Sequence, residues 1–188
     1  KLIYDGSGKA ATVTASDDWQ GPAANTIKVS YTYGGGSMPA MLEEGAVPTN
    51  ADTYTASITV GTGENKATAS VGYTINRADP KASDFTFIAP TELEYNGNAK
   101  TATVTANTGI TGMGDVTVKY YQGETEVKQP TNAGDYTVKI SVAEGTNYKA
   151  VSELTGDGWK FSITKGTYSG NKSDKTIDIV KGRSTAQS

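Results

Sequence analysis

The chain has 188 residues, lacks both cysteine and histidine, and carries a formal net charge of −3. These absences exclude a disulfide framework, a thiolate metal site and a cysteine nucleophile, and they remove the usual general base. Lysine and arginine are scattered, whereas a nucleic-acid binder concentrates them on one face, and no apolar run reaches the roughly 18 residues of a membrane span. We therefore expect no enzyme activity, no nucleic-acid partner and no membrane insertion.

The composition favours an all-β fold. Eleven tyrosines and 22 glycines accompany many threonines and valines. Threonine, valine and tyrosine suit a pleated, half-buried surface, and glycine suits the tight turns between strands.

Six elements follow one another in the first part of the chain. Alternating apolar and polar residues mark the strands, and an Asx-Gly pair marks a turn with positive φ. In order, the elements are the turn Tyr4–Gly6, the strand Ala11–Ala15, the strand Val29–Tyr31, the bend Pro48–Ala51, the strand Tyr54–Val60 and the strand Tyr73–Ile75.

The same elements recur in the same order later in the chain. The recurring blocks are Tyr95–Ala106, Val118–Tyr120, Pro130–Val142 and Phe161–Ile163. A repeat of roughly 85 to 90 residues with six to seven short strands indicates a two-layer sandwich. The predicted fold is therefore two tandem immunoglobulin-like β-sandwich domains joined by a short linker.

The repeat places the domain boundaries. We assign residues 1–78 to the first sandwich, 79–166 to the second, and 167–188 to a linker and the first strand of a truncated third repeat. Pro80 blocks strand continuation at the first boundary. The strand of the third repeat is predicted at Thr176–Val180, either unpaired or docked on the edge of a neighbour. The predicted core of the first copy is Ile3, Val13, Ile27, Val29, Tyr31, Tyr54, Ile58, Val60, Val71, Tyr73 and Ile75.

Several motifs together resemble a known family. They are the Tyr-Asp/Asn-Gly openings, Ala-Thr-Val-Thr-Ala, Ala133–Val138, Gly145–Tyr148 and Ser162–Lys165. The set resembles the MBG-type, or YDG-motif, bacterial immunoglobulin-like repeats over nearly all of residues 1–166. The second copy matches better, since the first has Asp52-Thr53 where the second has Gly134-Asp135. The resemblance implies tandem repeats of a surface or secreted bacterial protein, and no catalytic residue.

Three kinds of candidate site occur in the sequence, and each also has a simpler interpretation. Trp19, in a loop, can stack on a sugar or anchor a protein partner, or it can cap the sandwich. Lys9 and Lys100 occupy equivalent positions and are candidates for an isopeptide cross-link, or for charges that protect a strand edge. Calcium would need converging oxygen ligands, for which the candidates are Asp17, Asp18 and Asp157. Since no Asp-x-Asp-x-Asp-Gly pattern occurs, we expect no cofactor.

The predicted function is structural. The chain is expected to be a non-catalytic stalk that presents a distal functional domain, to be monomeric, and to contact the neighbouring repeats of its parent chain. The expected location is the bacterial cell surface or the secreted fraction. The alternative is an adhesive module that binds host glycans or extracellular-matrix proteins. A scaffold domain of a large secreted glycoside hydrolase is a third interpretation.

Overall fold

The computed structural model describes residues 1–34, 38–167, 172–173 and 176–177, and these residues form an all-β protein. Apart from strands, this part of the chain contains 3-10 turns at Ala24–Thr26, Gly63–Asn65 and Ala82–Asp84, and no helix of it is long and apolar enough to cross a membrane. The strands are β1 (Leu2–Ile3), β2 (Val29–Tyr33), β3 (Ala40–Met41), β4 (Thr53–Val60), β5 (Ala67–Asn76), β6 (Phe85–Ile88), β7 (Thr103–Ala106), β8 (Val116–Gln122), β9 (Thr125–Val127), β10 (Gly134–Val142), β11 (Val151–Leu154), β12 (Lys160–Ile163), β13 (Lys172–Ser173) and β14 (Thr176–Ile177). The predicted all-β class is confirmed.

The chain divides into two compact units that do not follow the repeat boundary at every point. Unit 1 contains Lys1–Asp79 together with two later stretches, Ile110–Gly114 and Glu144–Lys149. Unit 2 contains the rest of the chain from Pro80. The two later stretches are loops of the second sequence repeat.

Unit 1 is built on one five-stranded sheet with the order β1-β5-β4-β2-β3. The long pair β4 and β5 is antiparallel, with Tyr54 opposite Tyr73 and Ala56 opposite Val71. Because partners across a sheet share a face, the alternating apolar residues of both strands point to the same side. The predicted strand Tyr54–Val60 is confirmed, since it lies within β4 (Thr53–Val60).

The core of unit 1 is aromatic and includes residues from its later stretches. Tyr4, Tyr54 and Ile75 are buried with Tyr148, and the rings of Tyr4 and Tyr148 meet edge to face with centroids 5.5 Å apart. Ile110 also packs against this cluster. Aromatic pairs of this geometry add about 0.5–1.5 kcal/mol beyond the area that they bury.

Unit 2 has two layers. The larger layer has the order β11-β10-β8-β9, and β12 pairs with the first part of β10. The smaller layer is the antiparallel pair β6 and β7, whose Phe85 and Phe87 pack on Trp159. The buried residues that these layers share are Phe85, Val104, Val138, Ile140, Val142, Trp159, Phe161 and Ile163.

Unit 1 departs from its predicted core at two positions. Val71 is 56% exposed and Ile3 is 49% exposed, so these two core predictions were wrong. The predicted strand at Ala11–Ala15 is not a strand in the structure, and it pairs with no strand among the described residues. In the part of the chain that the structure describes, unit 1 has no counterpart of β6, which leaves Val71 uncovered and residues 11–15 unpaired. Ile3 corresponds to Glu94 of the second copy, which is exposed as well.

Beyond residue 167 the structure describes two short strands. Lys172–Ser173 and Thr176–Ile177 pair antiparallel as β13 and β14. Residues 178–180 of the predicted strand Thr176–Val180 lie outside the described residues.

Candidate functional site

The indole ring of Trp19 is fixed by hydrogen bonds to the backbone of its own loop. The indole Nε1–H donates to the Pro22 carbonyl oxygen at 2.8 Å, and the Trp19 amide donates to the Ser16 carbonyl at 3.0 Å. The ring lies directly over Gly21, where a Cβ atom would overlap it. The residue is 39% exposed. Trp19 is thus a half-exposed ring with one side covered by its own loop.

Lys9 and Lys100 lie at equivalent places but have different partners. The Lys9 ammonium forms an ion pair with Asp5, whose carboxylate oxygen lies 2.5 Å from Nζ. This hydrogen bond lowers the pKa of Asp5, with a further contribution from the Ser7 amide. Asn96 stands at the position of Asp5 in the second copy, so no equivalent ion pair forms, and Lys100 is 5% exposed.

The ionised pair at Lys9 is poorly suited to isopeptide formation. Amide formation needs a neutral amine and an electrophilic carboxyl, whereas a carboxylate with a lowered pKa stays ionised and attracts the ammonium. Lys100 lines a small cleft with Glu92, Asn96 and Asn98. A cross-link at Lys9 or Lys100 is a hypothesis from the sequence, and the intact mass of the chain tests it.

The candidate calcium ligands lie in exposed loops of different units. Asp17 and Asp18 belong to unit 1, and Asp157 belongs to unit 2. Asp18 accepts a hydrogen bond from the Ser16 hydroxyl at 2.6 Å, which lowers the pKa of this carboxyl. No group of three His, Cys, Asp or Glu residues within the described ranges is placed to hold a metal ion.

A charged cleft of about 670 Å³ opens in unit 1, and the sequence analysis did not identify it. Its lining includes Arg77, Glu144 and Lys149. The Arg77 Nη1 lies 3.5 Å from Glu144, and the Lys149 Nζ lies 2.7 Å from Asp79. Both cations therefore already have an acidic partner. The sequence did not indicate this cleft, because Arg77 and Asp79 lie at the first domain boundary and their partners Glu144 and Lys149 are distant along the chain.

Asn147 is a buried polar residue whose hydrogen bonds join separate segments of unit 1. Its side chain is 2% exposed; Oδ1 accepts from the Ala51 amide at 2.9 Å, and Nδ2 donates to Asn50 Oδ1 at 3.1 Å. Its backbone carbonyl accepts from the Ala78 amide at 2.9 Å. Its position in the Gly145–Tyr148 motif was part of the family resemblance, but its role requires the three-dimensional structure.

Two tyrosines with raised pKa values act as hydrogen-bond donors. Burial raises the pKa of Tyr73 to about 12, and its hydroxyl donates to the Lys9 carbonyl at 2.7 Å. Burial and the hydrogen bond to Glu153 raise the pKa of Tyr121 to about 12. A phenol with such a pKa is protonated near neutrality, so neither is poised as a base or nucleophile.

The residues that repeat between the copies make repeated structural bonds. The Ala11 amide donates to the Tyr31 hydroxyl at 3.0 Å, and the Ala102 amide donates to the Tyr120 hydroxyl at the same distance. The Lys9 and Lys100 amides donate to Pro48 and Pro130 at 2.7 and 2.9 Å. The glycines of the two Asx-Gly turns, Gly6 and Gly97, have φ of 79° and 83° as predicted.

These features define a class: an all-β protein whose repeated residues hold its turns and sheets together. The family model of the MBG domain matches residues 87–167, which confirms for this segment the predicted resemblance to MBG-type repeats. MBG domains are typical of extracellular proteins, so the match supports an extracellular bacterial repeat. Comparisons with curated proteins and with solved structures found no match.

Proposed function

We propose that the chain is a non-catalytic structural repeat of a bacterial surface or secreted protein, which spaces or presents a functional domain elsewhere in its parent. The proposal rests on the residues that the two copies have in common and on the hydrogen bonds that these residues make. Their common residues make the same backbone and tyrosine hydrogen bonds in both copies. The candidate binding residue Trp19 has no identical counterpart in the second copy, and Lys9 does, in Lys100, but its ion-pair partner Asp5 is replaced by Asn96.

The finer fold that goes with this proposal is a tandem of immunoglobulin-like sandwiches. Tyr54 and Tyr136 each stand near the start of a long strand and donate to a backbone carbonyl four residues upstream. This arrangement resembles the tyrosine corner of immunoglobulin-like sandwiches and therefore supports the proposed fold. The two layers of unit 2 support it as well.

We also propose that the chain has no enzyme activity. The charged cleft of unit 1 pairs its cations with Glu144 and Asp79, and the tyrosines with strongly raised pKa values are protonated donors. The sequence lacks histidine and cysteine, which are the residues that most often act as base and nucleophile at neutral pH.

A display experiment tests the spacer function. The chain would be placed between a cell-wall anchor and a reporter binding domain on a bacterial surface, and reporter occupancy by a large labelled ligand would be measured. We expect high occupancy with this chain and with unrelated β-sandwich repeats of equal length, and low occupancy when the spacer is deleted. Equal occupancy with and without the chain would contradict the proposal.

The adhesive alternative rests on Trp19, whose ring is 39% exposed at the surface of unit 1. A half-exposed indole can stack on a sugar or fill a pocket of a protein partner. A panel of glycans and matrix proteins, probed with the full chain and with Trp19→Ala, decides between the structural and the adhesive function.

A further inference from the structure

A small cleft of unit 2 contains a buried lysine whose ammonium has no partner among the described residues. The cleft has a volume of about 270 Å³, and its lining includes Glu92, Asn96, Asn98 and Lys100. Lys100 is only 5% exposed. Every buried side-chain nitrogen or oxygen of the described residues has a hydrogen-bond partner. Because the Lys100 ammonium forms no hydrogen bond or ion pair with those residues, it must reach the surface, and it does so at the wall of the cleft.

The first copy shows which group this lysine lacks. Lys9 stands at the equivalent position, and its ammonium pairs with the Oδ2 atom of Asp5 at 2.5 Å. The other carboxylate oxygen of Asp5, Oδ1, accepts a hydrogen bond from the Ser7 amide at 2.8 Å. Asn96 makes the same turn, since its Oδ1 accepts from the Asn98 amide at 3.0 Å. The Asn96 side-chain nitrogen Nδ2 therefore takes the place of the oxygen that binds the lysine in the first copy.

This replacement leaves two donors without an acceptor. An amide nitrogen and an ammonium both donate hydrogen bonds, so Asn96 Nδ2 and Lys100 Nζ cannot bond to each other. Neither atom has an acceptor within the part of the chain that the structure describes. Buried charges in proteins are normally paired, because removal from water is otherwise uncompensated. A ligand carboxylate would supply the missing acceptor, since its two oxygens can accept from both donors.

Glu92 adds an opposite charge to the same cleft. Its carboxylate is exposed and forms no ion pair with the described residues, Lys100 included. A ligand with only negative charge would be repelled by Glu92, whereas a ligand that also carries an ammonium would be attracted by it. Since one water molecule takes about 30 Å³ of the liquid, the cleft of about 270 Å³ has room for a ligand of several non-hydrogen atoms.

We propose that this cleft binds the zwitterion of a small free amino acid. The ligand carboxylate accepts hydrogen bonds from Lys100 and Asn96, and the ligand ammonium donates to Glu92. The first copy does not offer the same site, because the Asp5 carboxylate already pairs with Lys9. The second copy thus has a binding function in addition to the structural role of the residues that both copies share.

Titration of the full chain with L-alanine, followed by amide NMR spectroscopy, tests the proposal. We expect saturable shifts at residues 96–101, with a Kd on the order of 1–10 mM for so small a ligand. Propionate lacks the amine of alanine and ethylamine lacks the carboxylate, so each should bind about tenfold more weakly. Absence of saturable shifts at residues 96–101, or equal binding of L-alanine and either analogue, would overturn the proposal.

Two variants test the contact with the ligand carboxylate. Asn96→Asp gives the second copy the ion pair of the first, so the new carboxylate should occupy Lys100 and abolish L-alanine binding. Lys100→Met keeps the apolar stem but removes the ammonium, and it should also abolish binding. Lys160→Met, at an exposed position of β12 in the same unit, is the matched control and should bind like the wild type. Unchanged binding by Asn96→Asp, with a circular dichroism spectrum like that of the wild type, would overturn the proposal.

A third variant tests the contact with the ligand ammonium. Glu92→Gln removes the negative charge of an exposed side chain, so the fold should be unaffected. We expect about tenfold weaker binding of L-alanine, and binding of propionate no weaker than in the wild type, because the repulsion of its carboxylate is lost. Unchanged L-alanine binding, or a parallel loss of propionate binding, would overturn the assignment of a zwitterion to this cleft.

Discussion

Tyr54 and Tyr136 make the same hydrogen bond in the two units. The Tyr54 hydroxyl donates to the Asn50 carbonyl at 2.9 Å, and the Tyr136 hydroxyl donates to the Asn132 carbonyl at 2.8 Å. Both rings are almost completely buried, at 3% and 2% exposure. Each bond fixes the bend after Pro48 or Pro130 to the long strand that follows, so one local sequence pattern closes one corner in each unit.

Removal of either hydroxyl should destabilise the protein. We expect Tyr54→Phe and Tyr136→Phe each to lower the free energy of unfolding by about 1 kcal/mol, because each deletes one hydrogen bond without creating a large cavity. Urea unfolding measures this loss. Tyr95→Phe is the matched control, since its half-buried hydroxyl donates no hydrogen bond to the described residues, and it should change stability by less than about 0.5 kcal/mol. A loss as large in the control as in the corner variants would contradict the role of the corner.

Asn147 should be important for the stability of unit 1. Asn147→Ala removes the partners of the Ala51 amide and of Asn50 in a buried site, and we expect a loss of about 1–3 kcal/mol. Asn25→Ala, at an exposed position in a 3-10 turn, is the control and should be nearly neutral. Equal unfolding midpoints for the wild type and Asn147→Ala in urea would rule out the assigned role.

Stability should fall in strong alkali. The pKa of Tyr73 is raised by burial from 10.0 to about 12, so the unfolded chain loses this proton at lower pH than the folded chain. The stabilisation is therefore fully present below pH 10 and is lost as the pH rises to about 12. Thermal melts at a series of pH values measure the loss, and Tyr73→Phe should reduce its steepness. A melting temperature that is constant through this range would contradict the burial of the phenol.

The intact mass should equal the sum of the residues. Asp5 has a lowered pKa beside the Lys9 ammonium, so the pair remains ionised and does not condense. Mass spectrometry of the whole chain would reveal a Lys–Asp cross-link as the loss of one water and a Lys–Asn cross-link as the loss of one ammonia. Either loss would establish an isopeptide bond, and fragmentation would then assign it to Lys9 or Lys100.

The local architecture could be predicted from the sequence because it repeats. The alternation in Tyr54–Val60 and Tyr136–Val142 gave the long strands, and the Asx-Gly pairs gave turns with positive φ at Gly6 and Gly97. These features depend on residues close together in the chain, where period and turn chemistry are informative.

The burial of individual residues and the membership of the two units could not be predicted, because both depend on contacts between residues that are distant along the chain. The alternating pattern placed Val71 on the correct face, but burial also needs a second layer, and the described part of unit 1 has no strand at the place of β6. Likewise, Tyr148 and Asn147 lie in the second repeat of the sequence yet belong to the core of unit 1. Comparison of the two repeats aligns equivalent positions, but it does not show which unit a loop joins.

We propose that the chain has a structural role and does not itself bind a glycan or a matrix protein. The most direct test is a broad panel of glycans and extracellular-matrix proteins, probed with the full chain and with Trp19→Ala. The structural account predicts no reproducible binding by either protein. Reproducible binding by the wild type that Trp19→Ala abolishes would contradict it and would identify Trp19 as the anchor of an adhesive module.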